Sequence, residues 1–397
     1  MSEKLQIAVV GGGVGGLTAA LALRARGLSV TVFEQADELR EIGAGVSIFP
    51  NATILLQRIG LANGLARIGS PITGLVVRTS LGELIGTSAF PSTGIQSYNV
   101  HRAEFLKLLA EAQPDGTLHL GHRLSGVSEA NDRARLTFSN GATVDSDVVI
   151  GADGIHSALQ REIGLKTHPS SEGIMAYRGL IPTGKLSWAK DIGGRMSRWI
   201  GKGRSFLCYP VSSGRLMNMV AFVPTNLESE ESWTAPGDLK ALSAEYAGWD
   251  DPVQETIGAL DHTFRWGIYD RAPLPYWSAG RITLLGDAAH AMVPHVGQGA
   301  AQAIEDGFTL AVFLEGVTQP EVPKRLKAYE RFRIERTSRI QVVARETGRF
   351  LRAEYDDAAE RDRLMARWNS ETVWIRGHDA EQAAKDALLV AARDEAI

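Results

Sequence analysis

The chain has a single cysteine, Cys208, in 397 residues. That excludes an internal disulfide and a cysteine-rich metal site, and it fits a reducing compartment. Basic excess is missing too: 42 Lys and Arg stand against 46 Asp and Glu, a net charge of −4. With no surplus positive charge to neutralise phosphates, no binding to nucleic acid or to a membrane is expected, and the partners are small molecules. Long apolar runs are absent. The nearest is "LQIAVVGGGVGGLTAALALRARG" at the N-terminus, but glycines interrupt it and Glu3 precedes it. It reads as neither a signal peptide nor a bilayer span, so a cytoplasmic protein is expected, monomer or homodimer. No low-complexity linker or internal repeat appears.

What is present is ordinary globular composition, 44% apolar and 22% charged, enough for a sizeable core and two or three domains. Residues 5–34 read as a strand, a glycine turn, a helix ending at Gly27 and a second strand, a βαβ unit. Helical spacing recurs over 51–69 and 99–113. From 117 to 154 the texture changes to alternating strands with a turn at Asn140-Gly141, closing on the buried run "DVVIGADG". Strand-like runs between 171 and 268, including "SRWI", "SFLCYPV" and "LMNMVAFV", predict a second, mostly antiparallel sheet. "RITLLGDAAHAM" returns to a buried strand and tight turn, a helix follows it, and the charged tail from about 325 is helical.

Gly11-x-Gly13-x-x-Gly16 has the spacing a dinucleotide requires: one glycine for the turn, one for close approach of the pyrophosphate, one for helix packing. It follows a strand and opens a helix whose N-terminus offers about half a positive charge to a phosphate. Glu34 ends the second strand, where an acid meets a ribose hydroxyl. The fingerprint alone leaves NAD and FAD open.

Two later segments, "GADGIHSALQRE" with Asp153 and "GDAAHAMVPHVGQG" with Asp287, each follow a buried strand. With the first fingerprint they resemble the three signatures of the FAD-dependent aromatic hydroxylases, single-component flavoprotein monooxygenases of the para-hydroxybenzoate hydroxylase type. Within that family the chain looks closest to salicylate hydroxylase-like enzymes. The resemblance implies an α/β fold: a Rossmann-like FAD-binding domain (1–75, 98–170 and 270–330), a mostly antiparallel β-sheet substrate domain (76–97 and 171–269) and a helical C-terminal region (331–397). It implies FAD as cofactor, NADH or NADPH as co-substrate and O2. A phenolic aromatic or heteroaromatic acid would be hydroxylated through a flavin C4a-hydroperoxide.

Carried over residue by residue, Gly11, Gly13, Gly16, Glu34 and Asp153 would serve the nucleotide half, and Leu124 would give the adenine half a backbone contact. Gly45, Val46 and Ser47 would lie beside the flavin ring, Arg102 on the flavin side, and Asp287 on the ribityl chain. Pro294, Gln298, Gly299 and Ala300 would form the glycine-rich helix start facing the ring, where a positive dipole end favours an anionic reduced flavin. His295 is the best-placed base for the substrate phenol, with a pocket-shaping role as the competing reading. Tyr209, Ser205, Met217 and Met219 are the substrate candidates. Either face of "SFLCYPV" could be the core. His290, His101 and His156 read as scaffold, Cys208 as a buried hydrophobe, and no metal site is expected.

The sequence departs from the family pattern at Gln160, where arginine is usual, and at Arg376 and His378, where a family tail has tyrosines. Ser205 and Ser47 replace histidines that some relatives use on substrate. A urate-type hydroxylase or epoxidase on the same fold, and a flavin-dependent reductase without oxygen insertion, are the alternatives.

Overall fold

The computed structural model describes residues 4–39, 45–89, 94–130, 132–225, 235–353, 355 and 357–394. Gly43 and Ala44, which precede the Gly45–Ser47 segment, lie outside them. Among the described residues no helix is long and apolar enough to cross a membrane.

Among the described residues two large sheets organise the molecule, with two three-stranded sheets beside them. The first has six strands in the order Ser278–Ala279, Ile282–Leu284, Val148–Gly151, Gln6–Val10, Ser29–Phe33 and Leu118–His119. All neighbours are parallel except the short edge strand Ser278–Ala279. Its central strands are apolar on both faces, as a parallel sheet covered by helices requires. Helix Val14–Ala25 and helix Gly299–Leu314 pack over it. Gly307 lets them approach closely, since a Cβ there would come 2.8 Å from the Ala19 Cα.

The second sheet has eight strands, ordered Ala235–Pro236, Phe264–Asp270, Ser170–Pro182, Leu216–Pro224, Arg204–Val211, Arg195–Gly201, Gly74–Thr79 and Leu84–Ala89. It is antiparallel apart from the pairing of Arg195–Gly201 with Gly74–Thr79. One face packs on Trp199, Phe206, Cys208, Met217, Met219 and Tyr246. The other turns toward the first sheet and carries the site.

Some expected boundaries shift. The helix expected over 51–69 is two, Pro50–Arg58 and Ala62–Ile68, parted where Gly60 takes φ +81°. That expected over 99–113 begins at Arg102, after strand Tyr98–His101. The expected limits at 75/76 and 330/331 cut through strand Gly74–Thr79 and through the 31-residue helix Val322–Arg352. The one proline of that helix, Pro323, sits in its first turn, where it is tolerated, and the helix spans both halves of the molecule.

Candidate active site

A cavity of about 400 Å³ opens between the two sheets. At its nucleotide end the three glycines have separable functions. Gly11 takes φ +113°, and a Cβ there would strike the Ala152 carbonyl at 2.3 Å; a Cβ on Gly16 would strike the Gly11 carbonyl at 2.0 Å. Both permit the turn to close. Gly13 differs: its Cβ would meet nothing among the described residues within 4 Å, and it lines the cavity as the N-cap of helix Val14–Ala25 without a side-chain cap. The amides that follow it in the first turn of the helix lack intrahelical partners and can meet a phosphate, which is what bound FAD needs. Replacing Gly13 with valine should therefore leave the fold intact and lower the FAD-to-protein ratio, read from visible against near-ultraviolet absorbance. Full FAD content would contradict the pyrophosphate role.

Glu34 lies beyond the cavity wall and accepts from Gly12 N–H at 2.6 Å and Ala36 N–H at 2.9 Å, holding the turn to the second strand. Leu124 opens a strand opposite Phe138, packed against the nucleotide core and outside the cavity. Asp153 has its side chain engaged within its own turn. Its carboxylate accepts from Ser157 Oγ at 2.6 Å and Ala158 N–H at 2.7 Å, capping helix Ala158–Glu162, and burial raises its pKa. The cavity wall there is Gly154 and Ile155 instead. Gln160, the departure from the usual arginine, donates to the Ala288 carbonyl at 2.5 Å and ties this turn to the Asp287 segment.

Toward the other end, Gly45, Val46, Ser47, Arg102 and Asp287 line one wall. The Pro294–Val296 turn and the start of helix Gly299–Leu314, with Gln298 and Ala300, line the next. Gln298 Oε1 accepts from Asn51 at 3.0 Å and Gln302 at 3.1 Å, so its Nε2, buried without a partner among the described residues, is oriented as a donor. A buried ionic network fixes this helix. Arg333 donates to Glu305 and Asp306, each at 2.7 Å, Arg336 donates to Glu305 at 2.8 Å, and His290 meets Asp306 at 2.6 Å. Gly286 N–H also donates to Asp306 at 2.9 Å. His290 is therefore scaffold, joining the Asp287 turn to the ring-facing helix. Burial acts to raise Glu305, but Arg336 and Arg333 override it and hold its pKa at about 2.

The second sheet supplies the remaining wall. Pairing of Leu207 with Val220 and Tyr209 with Asn218 turns Leu207, Tyr209, Val220 and Phe222 inward. Met217 and Met219 alternate to the opposite face, fully buried beside Cys208 and Phe206, which corrects their expected substrate contact. Ser205 shares the face of Tyr209 but sits beyond the cavity, its strand end held by Tyr246 Oη, which donates to the Ser205 and Phe222 carbonyls. Tyr209 packs against Gly45, where a Cβ would come 2.4 Å from its ring. Burial raises the Tyr209 pKa, so the phenol stays protonated.

Arginines not assigned from the sequence line the same cavity: Arg178, Arg198 and Arg376. Arg178 lies 4.0 Å over the Trp266 ring and Arg376 3.8 Å over Phe49. Arg198 is 6% exposed, and its Nε and Nη1 have no partner among the described residues. Burial lowers its pKa to about 10, leaving it charged at neutral pH. Their signal was legible: each of Arg178 and Arg198 is a charged residue inside a strand whose two faces are both buried, a position tolerated only beside a polar cavity.

His295 is buried, its ring 4.9 Å from that of Phe222. Arg352 Nη1 lies 2.9 Å from His295 Nε2. Burial, then Arg352 and Arg198, push its pKa well below 6.5. Proton uptake is thus opposed by its surroundings.

Residues 4–346 match the family model described as an FAD binding domain. The chain is 34% identical to 3-amino-4-hydroxybenzoate 2-monooxygenase of Streptomyces platensis, over 96% of this chain and 97% of the relative. It is 36% identical to 6-hydroxynicotinate 3-monooxygenase of Bordetella bronchiseptica, over 96% of both. Among solved structures, a salicylate hydroxylase substrate complex superimposes with a TM-score of 0.84 at 29% identity, covering 96% of this chain and 97% of that one. HpxO of Klebsiella pneumoniae, complexed with FAD and uric acid, gives 0.80 at 27%, covering 96% and 95%.

Proposed function

The chain belongs to the FAD binding domain family, an enzyme family of flavin-dependent monooxygenases, and from that premise we propose that it hydroxylates an aromatic or heteroaromatic ring carrying a carboxylate. The observation that carries this reading is the lining of the substrate end: an apolar slot of Leu75, Met196, Leu207, Val220 and Phe222, with Arg178 and Arg198 set into it. Apolar walls take a ring, and guanidinium groups take a carboxylate by paired hydrogen bonds.

The residues present fit FAD. Gly13 leaves room where the pyrophosphate must approach, Asp287 and Arg102 line the middle of the cavity, and Gln298 offers a buried donor. When bound, FAD takes reducing equivalents from NAD(P)H and delivers one atom of O2 to the ring. The protein's share is orientation and exclusion of water. Arg198 and Arg178 hold the anionic substituent, and their charge favours the ionised, electron-rich form of a neighbouring phenol. Tyr209 remains protonated and can donate to that phenolic oxygen. Trp368 and Arg376 of helix Ala358–Arg376 complete the wall on the C-terminal side and keep solvent from the transfer. The low cysteine content and use of NAD(P)H suit a cytoplasmic enzyme.

The holoenzyme should oxidise NADH or NADPH faster when salicylate, 3-amino-4-hydroxybenzoate or 6-hydroxynicotinate is added, giving a product whose ring carries one new oxygen atom from O2, with CO2 released where the attacked carbon bears the carboxylate. Urate, also an anionic heteroaromatic, belongs in the panel because of the uric acid complex among the structural neighbours. Equal turnover without O2 would replace this reading with a reductase, and no stimulation by any acid would overturn the substrate class.

A further inference from the structure

We propose that Arg352 is a positioning residue that fixes the tautomer of His295, so that the histidine meets substrate as an Nδ1–H donor and not as a base. The nature of the acceptor rests on the aromatic-acid reading above; the tautomer does not.

A guanidinium has five N–H donors and no acceptor, and a neutral imidazole has one N–H and one acceptor nitrogen. Arg352 Nη1 stands 2.9 Å from His295 Nε2, so Nε2 must accept and the ring proton must sit on Nδ1. Nδ1 is buried and has no partner among the described residues. A buried N–H without an acceptor is unfavourable, and an anionic ligand oxygen in the cavity that His295 lines would satisfy it.

The seat is built from several elements. Gly348, one helical turn before Arg352, leaves the space the ring occupies: a Cβ there would come 2.3 Å from His295 Cδ2 and 2.6 Å from Nε2. Phe222 closes the sheet side. Arg352 ends helix Val322–Arg352, and its carbonyl accepts from Gly203 N–H at 2.8 Å, tying the helix end to the second sheet. The charged groups facing His295 are Arg352 from the long helix and Arg198 from the sheet; Glu172 lies on the far side of Arg352, 3.8 Å from its Nη2. Two cations against one more distant acid oppose a third positive charge on the imidazole, in agreement with its lowered pKa.

The test is nitrogen-15 resonance spectroscopy of histidine-labelled holoenzyme, with His295→Asn identifying the signal. The expected pattern is neutral imidazole protonated at Nδ1, titrating only below the ordinary imidazole range. Arg352→Met should shift it toward the Nε2-protonated form and raise the pH at which it titrates, and Arg352→Lys, which keeps a donor, should restore it. An Nε2–H tautomer or ordinary titration in the wild type would overturn the proposal without any variant, as would an unchanged pattern in Arg352→Met. Salicylate binding, followed through the flavin absorbance, supplies the second arm. His295→Asn can place its amide N–H near the Nδ1 position and should hold Kd within about threefold, whereas His295→Phe should weaken it about tenfold. Equal affinity of both variants would remove the donor role. If no aromatic acid perturbs the flavin, the substrate reading fails along with the acceptor named here, while the resonances still decide the tautomer.

Discussion

Arg333→Met is expected to cost about 3–5 kcal/mol of folding stability, the typical loss when one partner of a buried ion pair is removed. Arg333 is fully buried and bonds Glu305 and Asp306 at 2.7 Å each, two carboxylates that are themselves fully buried. Methionine fills the volume but leaves both acids with less compensation. Arg336 still reaches Glu305 and His290 still reaches Asp306, so the chain should fold, with a lower urea midpoint and weaker FAD retention, because Gly286 and Asp287 hang on the same network. The pH dependence follows from sign. Glu305 is held at about 2, below its ordinary 4.5, and Asp306 is also lowered. Such groups contribute stability above their unfolded values, and that contribution is lost as pH falls through the folded values. Wild-type stability should therefore drop on acidification from about 4.5 toward 2, and Arg333→Met should drop less in that window. A variant with the wild-type midpoint and acid slope would show that the network contributes nothing net.

How far the site could be read from sequence depended on whether a residue's role was local. The glycine turn was legible because its spacing is set within six residues, and the structure separates Gly11 and Gly16, which close the turn, from Gly13, which faces the cavity. The facing of the second sheet was not legible. Both of its faces are buried, so alternation could not say whether Tyr209 or Met217 and Met219 looked inward; the neighbouring layers decide that. Asp153 was ambiguous for a different reason: an aspartate after a buried strand serves equally as a helix cap, and Ser157 and Ala158 bond its carboxylate. Arg352 carried no local signal, being one of many charges on a polar 31-residue helix. Only tertiary packing brings it to His295, 57 residues away.

Arg198→Met should separate function from fold by moving them in opposite directions. At present the guanidinium is buried, with Nε and Nη1 unpartnered among the described residues, and burial has lowered its pKa to about 10. An unsatisfied buried donor costs about 1–3 kcal/mol, so an apolar side chain of similar length should raise the unfolding midpoint. Substrate binding should suffer instead: a hydrogen bond to a charged group contributes about 1.5–3 kcal/mol, which corresponds to roughly 10- to 100-fold in affinity for an aromatic carboxylate. FAD content should not change, since the strand Arg195–Gly201 lies in the sheet facing the ring slot and not at the glycine turn. Lysine at this position keeps the charge but not the fork that matches a carboxylate, so it should recover only part of the affinity. A stabilised variant that binds salicylate as tightly as wild type would mean that Arg198 is not the carboxylate anchor. A destabilised one would mean that the residue serves the sheet and not the ligand. The expected pairing, stability gained where affinity is lost, is the mark of a charge kept in the core for a partner that arrives later.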